Sequence, residues 1–173
     1  RIGRKLEIVS GGATTSLHLM LTGAMPEGIN HLRIGEAIMN ARDLHDRRGM
    51  NTDFLDPHVV TLKAEVLEVF AKPSHPIGET DLDAFGHKRS YLDRGIRRRA
   101  LLALGRQDVG YLEDLRPQLP GVQILGGSSD HLILDIEDSK EEWYPGKIVC
   151  FDLNYGTLMF ATNSPDISIR YFE

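Results

Sequence analysis

Two different patterns of apolar positions divide the chain near residue 50. Upstream, short apolar runs alternate with helix-like stretches. Residues 5–9 (Lys5-Leu6-Glu7-Ile8-Val9) predict a strand, Ser10-Gly11-Gly12 a turn and residues 14–21 a helix. After a loop over 23–29, the run ending at Ile34 predicts a second strand, Gly35 a turn, and Glu36 to about Leu44 a helix. Such alternation calls for parallel strands joined by helical crossovers. Arg47-Arg48-Gly49-Met50-Asn51 reads as a linker.

Downstream the pattern turns strand-like. Residues 59–69 are β-branched and partly alternating, and Pro73 and Pro76 stop them. Further strands are predicted over 99–104, 122–125, 132–136, 148–153, 157–162 and 167–172, punctuated by Pro120-Gly121, Gly126-Gly127 and Pro145-Gly146. No long amphipathic helix is expected after residue 50. Many short strands with this punctuation predict a closed or sandwich-like β domain over 51–173, following an α/β part over 1–50. No internal repeat or low-complexity segment is evident.

Composition narrows the function classes. The 173 residues are 41% hydrophobic and 26% charged, ordinary for a globular protein. A net charge of −5 argues against a nucleic-acid partner, and the basic run Arg97-Arg98-Arg99 reads as a solvated strand or loop end. Cys150 is the single cysteine, so no intramolecular disulfide forms, which fits a reducing, cytoplasmic setting. It lies in the apolar run Ile148-Val149-Cys150-Phe151 and is expected to pack in the core. No apolar run approaches the roughly 20 residues needed to span a bilayer. The chain opens on Arg1 and enters directly into a predicted strand, so it is expected to be cut from something longer.

The candidate chemistry sits at the two strand–turn–helix units. A strand, a glycine and a helix start in quick succession direct free backbone N–H groups at an anion. Gly11 and Gly12 admit backbone close to a ligand, and Ser10 offers a hydroxyl. In Asn30-His31-Leu32-Arg33-Ile34-Gly35-Glu36, strand alternation puts His31 and Arg33 on one face. An arginine at the carboxyl end of a parallel strand stands either where ligands bind in α/β folds or in an ion pair at the strand end. His18, His31 and His45 have no metal-ligand spacing, so no metal is expected.

Val9-Ser10-Gly11-Gly12 followed by His31-Leu32-Arg33-Ile34-Gly35-Glu36-Ala37-Ile38 resembles the end of the barrel in alanine racemase-type, pyridoxal-phosphate-dependent enzymes. Asp83-Ala84-Phe85-Gly86, Gly105-Arg106-Gln107-Asp108 and Ser128-Ser129-Asp130-His131 are most similar to the ornithine/alanine racemase branch. The resemblance covers nearly the whole chain. It implies the last two βα units of an eight-stranded barrel followed by a C-terminal β domain. The rest of the barrel would come from a missing segment or a companion chain, and a homodimer with shared active sites is implied.

Several roles follow from the resemblance alone. Ser10, Gly11, Gly12, Gly35 and Glu36 would hold the phosphate of pyridoxal phosphate, with the Tyr155 hydroxyl reaching the same group. Arg33 would face the pyridine nitrogen, and His31 would lie beneath it inside the barrel as a hydrogen-bonded core residue. The Schiff-base lysine of the family belongs to the first barrel strand and has no match here, so this chain alone is expected to be inert. The family's second base is a tyrosine in a Gly-Tyr-x-Asp turn, where this chain has Arg106. Arginine is a poor base, which leaves His131 and Tyr111 as candidates. Asp130, Asp83 and Asp108 would bind the distal ammonium of a basic amino acid, or else simply favour turns. The implied function is an amino acid racemase acting on ornithine or alanine. A non-catalytic pyridoxal-phosphate-binding or regulatory protein and a basic amino acid decarboxylase are the rivals.

Overall fold

The computed structural model describes residues 3–79, 81–82, 86, 90 and 92–172. Asp83, Ala84 and Phe85 of the Asp83-Ala84-Phe85-Gly86 run lie outside the described residues. The chain forms two compact units that divide between Val60 and Thr61.

The first unit holds two parallel strands, β1 (Ser10–Ala13) and β2 (His31–Arg33), paired Ser10 to His31 and Ala13 to Arg33. A short 3-10 turn over Thr14–Ser16 and helix α1 (Leu17–Leu21) follow β1. Helices α2 (Glu36–Met39) and α3 (Ala41–Arg48) follow β2. Leu17, Ala37 and Leu44 form the small core.

Several expectations are corrected here. The first strand is not 5–9: the backbone there is held by one side chain, because Asn30 accepts from Val9 N–H at 2.8 Å and donates to Glu7 C=O at 2.7 Å. Pairing with β2 begins only at Ser10, so Ser10-Gly11-Gly12 is strand, not turn. The single helix expected from Glu36 to about Leu44 is broken at Asn40 (φ −138°, ψ 58°) and resumes through Arg48, inside the expected linker. Its stop is Gly49, whose φ of 62° supplies the left-handed C-cap. His31, the first residue of β2, is exposed in this two-stranded sheet.

The second unit is a six-stranded antiparallel sheet, ordered β5-β8-β3-β4-β7-β6. Its strands are β3 (Thr61–Pro73), β4 (Ile96–Ala103), β5 (Arg116–Pro117), β6 (Gln123–Gly127), β7 (His131–Asp135) and β8 (Ile148–Asp152). Strand β3 organises it. Leu62, Ala64 and Val66 point into the core while Thr61, Lys63 and Glu65 face outward, the alternation of a half-buried strand. Residues 61–65 pair with β8, and from Val66 onward the pairing passes to β4. The handover coincides with a bulge, since Val66 opposes Leu102 and Glu68 opposes Leu101, leaving Leu67 as the extra residue. A bulge bends and twists its strand, which lets one strand serve two partners. Val66, Leu102, Leu132, Leu134, Val149 and Phe151 fill the core between them.

The second unit brings its own corrections. Residues 157–162 belong to a helix, α5 (Tyr155–Asn163), and residues 167–172 form no strand. The expected turn Gly105-Arg106-Gln107-Asp108 is the start of a one-turn helix, α4 (Arg106–Val109). Cys150 faces the outer side of β8 and is half-buried, since Val149 and Phe151 take the inward positions. Arg97 is not solvated: although strand alternation puts it on the face of β4 opposite Ala100 and Leu102, it is only 9% exposed and is paired with Asp135 and Asp138. Among the described residues, no helix is long and apolar enough to cross a membrane.

Candidate functional site

In the first unit the candidate residues lie along β1, along β2 and in the turn that follows β2. Ser10 and His31 are cross-strand neighbours, and the Ser10 hydroxyl lies 3.1 Å from His31 Nδ1. Gly11 and Gly12 are required by packing. A Cβ on Gly11 would overlap the Ile29 side chain, and one on Gly12 would overlap Ser16 Oγ, with φ at +150°. At their Cβ positions these glycines admit neighbouring side chains.

Gly35 is different. A Cβ there would meet nothing within 4 Å, and the residue is exposed at the start of α2. The buried Thr14 hydroxyl accepts the Ala37 N–H at 3.2 Å, tying the end of β1 to that helix start. The N–H groups of the first helical turn lack intrahelical partners, and Thr14 takes that of Ala37. Gly35 and Glu36 stand before it, on the open side. Arg33 ends β2 two residues earlier, exposed and without an ion pair among the described residues. The strand-end ion pair left open by the sequence is not made among the described residues.

In the second unit the candidates converge on one end of the sheet. The turn before α4 lies against the 128–131 loop, with Arg106 N–H donating to Ser128 C=O at 3.0 Å and Gln107 N–H to Ser129 C=O at 3.1 Å. Gly105 permits this approach, because a Cβ there would overlap the Ser129 carbonyl. Arg106 is held by Glu113 (Nη2 to Oε2, 3.1 Å) and by the Gly110 carbonyl (Nη1, 3.2 Å). Asp130 and His131 are exposed on the loop, with Ser129 Oγ donating to Asp130 Oδ2 at 2.6 Å. Tyr111 packs edge-on against Phe160 of α5, ring centroids 5.8 Å apart, and is half exposed. Tyr155, likewise half exposed, is the first residue of α5.

Asp108 has a structural role. It is 7% exposed, accepts the Gly105 N–H at 2.8 Å and takes a hydrogen bond from Ser164 Oγ at 3.1 Å. Both oxygens are thus engaged inside the unit, whereas Asp130 presents its carboxylate outward. No sequence signal points to Ser164 or Glu113 as the partners that fix this corner. Their contacts reach from 108 to 164 and from 106 to 113, and no local motif encodes the first. Among the described residues no three His, Cys, Asp or Glu side chains converge as a metal site.

No family model matches the chain. Over 158 residues it is 45% identical to ornithine racemase of Acetoanaerobium sticklandii, covering 90% of this chain and 43% of that protein. Over 172 residues it is 44% identical to lysine racemase of Thermotoga maritima, covering 98% of this chain and 47% of that protein. The chain therefore spans about half the length of the curated relatives it matches. Among solved structures, D-threonine aldolase from Filomicrobium marinum matches with a TM-score of 0.56 at 18% identity, over 92% of this chain and 36% of that one. Alanine racemase from Oenococcus oeni matches with a TM-score of 0.52 at 17% identity, over 90% of this chain and 42% of that one. At such identities these structures speak to the fold alone.

Proposed function

We propose, from the premise that the chain belongs to the alanine racemase-type family and corresponds to its C-terminal portion, that it is part of a pyridoxal-phosphate-dependent racemase of a basic amino acid, ornithine before lysine or alanine. The observation that carries this is 44–45% identity over nearly the whole chain to two racemases named for basic amino acids.

The residues of the first unit suit a phosphorylated cofactor. Gly35 is exposed beside open space, the Thr14 hydroxyl fixes the helix start, and Arg33 ends β2 with no carboxylate partner among the described residues. Gly35 and Glu36 would offer N–H groups to the phosphate, Ser10 is the nearby hydroxyl by sequence, and Gly11 and Gly12 shape the strand beneath. Tyr155 as a further phosphate donor rests on the resemblance. When bound, pyridoxal phosphate supplies an electron sink that acidifies the Cα proton of an amino acid. A guanidinium stays protonated and can only donate, so Arg33 would keep the ring nitrogen in its unprotonated form and weaken that sink. A weaker sink limits side reactions and favours proton return to Cα.

Proton transfer on the second face needs a base. Arg106 cannot serve, since it hardly deprotonates and is bound to Glu113. Tyr111 and His131 are exposed at this end of the second unit and are proposed for the role. Asp130 is proposed to bind the distal ammonium, because its carboxylate faces outward while that of Asp108 is committed to Gly105 and Ser164. The lysine that anchors the cofactor would be supplied by polypeptide outside these residues. On this reading the 173 residues alone do not turn over substrate.

The test is intact mass with peptide mapping after borohydride reduction of the protein as isolated, together with Cα-proton exchange on L-ornithine and L-lysine in heavy water. A pyridoxyl-modified lysine on connected or companion polypeptide, with exchange at Cα, supports the reading. Release of carbon dioxide in place of exchange makes the protein a decarboxylase. Bound cofactor without either reaction makes it a non-catalytic binder.

A further inference from the structure

We propose that residues 167–172 are an unpaired strand, which adds edge to edge to a β-strand outside these 173 residues, in the part of the protein that answers to the unmatched half of the longer relatives. The segment Ile167-Ser168-Ile169-Arg170-Tyr171-Phe172 has the β-branched and aromatic composition of a strand and an apolar residue at every second position from Ile167 to Tyr171. Its local preference is therefore for pairing. The structure gives it none: no helix, no bridge, and no backbone hydrogen bond among the described residues.

The segment is anchored at one end only. Ile167 is partly buried and packs against the core of the second unit. Beyond it, Ile169 is 50% exposed, Tyr171 91% and Phe172 85%. An apolar run with open N–H and C=O groups is an adhesive edge, and soluble proteins cover such edges. Strand addition satisfies the backbone through a ladder and the side chains through alternate pockets.

Two observations point to the occupant. The matches reach only 43% and 47% of the relatives' lengths, so more than half of each relative has no counterpart here. The first unit shows the same incompleteness independently, since among the described residues β1 and β2 form a two-stranded sheet with both outer edges open, an arrangement of marginal stability by itself. The occupant of the 167–172 edge is accordingly a strand of that unmatched portion. The inference does not depend on racemase activity, and its test reads pairing only, so either reading can fail without the other.

The test is amide hydrogen exchange on the protein as isolated, with all of its polypeptide. Pairing slows the amides of residues 168–172 by about 100-fold or more relative to unstructured rates. Of Ile169→Pro and Arg170→Pro, the one whose N–H faces the partner removes a ladder donor, abolishes that protection and lowers the melting temperature. Exchange at unstructured rates throughout 168–172 in the isolated protein overturns the proposal. So does protection that appears in these 173 residues alone as their concentration rises, because the partner is then a second copy.

Discussion

Arg97 on β4 lays its guanidinium across the Asp135 carboxylate at the end of β7, with Nε to Oδ2 at 2.5 Å and Nη2 to Oδ1 at 3.0 Å. The fork geometry makes both bonds charge-assisted. Nη2 also reaches Asp138 Oδ2 at 2.5 Å, while Arg94 donates to Asp135 at 3.4 Å and to Gln123 at 3.0 Å. One carboxylate thus gathers the ends of β4, β6 and β7. The hydrogen bonds that Arg97 donates to Asp135 and then to Asp138 raise its pKa further, so the cation is permanent. Asp135→Asn leaves that buried cation with a weaker partner and is expected to lower the melting temperature of the second unit. Arg97→Met added to it recovers part of the loss, because the charges then left without these partners, Arg94 and Asp138, are more exposed than Arg97. Thermal denaturation of the single and double variants checks this, and equal losses would show that the pair contributes nothing specific.

The same pair makes stability depend on acid. Burial pushes the Asp135 carboxyl up, but the Arg97 hydrogen bond, the Glu137 N–H and the charges of Arg97 and Arg94 outweigh it and hold the pKa below the ordinary value. A carboxyl with a lower pKa folded than unfolded stabilises fully above its unfolded pKa, about 3.9. That contribution is lost as pH falls through the folded value. The stability gap between wild type and Asp135→Asn should therefore be steady from about pH 7 to pH 5 and shrink below about pH 4. Urea titrations across this range measure it. A gap that stays constant down to about pH 2 would assign the stabilisation to packing.

Gly105 and Gly35 give opposite predictions for the same substitution. Gly105 has an extended φ of −136°, so an alanine there is limited only by space, and the Ser129 carbonyl occupies it. Gly105→Ala must break the hydrogen bonds from Arg106 and Gln107 to the loop and should cost about 1–3 kcal/mol, the range for forced overpacking. Gly35→Ala meets open space and should leave stability within about 0.5 kcal/mol, as for a surface change. If the first unit holds a phosphate, Gly35→Ala weakens pyridoxal phosphate binding all the same. Denaturation and cofactor titration on the two variants separate packing from ligand contact.

The β unit is legible where alternation alone decides structure. Leu62, Ala64 and Val66 announce the buried face of β3, and the predicted strands at 99–104, 122–125, 132–136 and 148–153 fall on β4, β6, β7 and β8. Ser10-Gly11-Gly12 reads as a turn by composition, yet Ile29 fills the space a side chain would need and the glycines run as strand. Arg97 looks like one of three solvated arginines because its partners lie 38 and 41 residues away. Residues 167–172 carry a strand preference without a neighbour to satisfy it. Of the candidate site, the turn at Gly35 and the place of Arg33 at a strand end can be read from the sequence, whereas the engagement of Asp108 by Ser164 cannot, since it depends on tertiary contact.

Helix α5 departs from the expected strand although its signal is present in the sequence. Thr157 and Thr162 suggest a strand, and the helix has no clear amphipathic stripe, so the periodic pattern is silent. The signal is Asn154, three residues before Thr157. The Asn154 side chain accepts the Thr157 N–H at 2.8 Å and the Thr157 hydroxyl accepts the Asn154 N–H at 2.9 Å, a reciprocal cap. Asn154 Nδ2 also donates to Asp114 at 2.7 Å, fixing the helix start to the segment after Tyr111. Asn154→Ala loses both roles and should cost about 1–2 kcal/mol. Asn154→Asp keeps an acceptor for Thr157 but sets a second carboxylate against Asp114, so its loss should be larger at about pH 7 than near pH 3, where carboxylates protonate. Asn154→Ser restores the cap without the Asp114 bond and should fall between wild type and Asn154→Ala. Denaturation of the three variants at both pH values decides the matter: equal losses for Asn154→Asp at high and low pH would mean that the Asp114 contact does not hold the helix start.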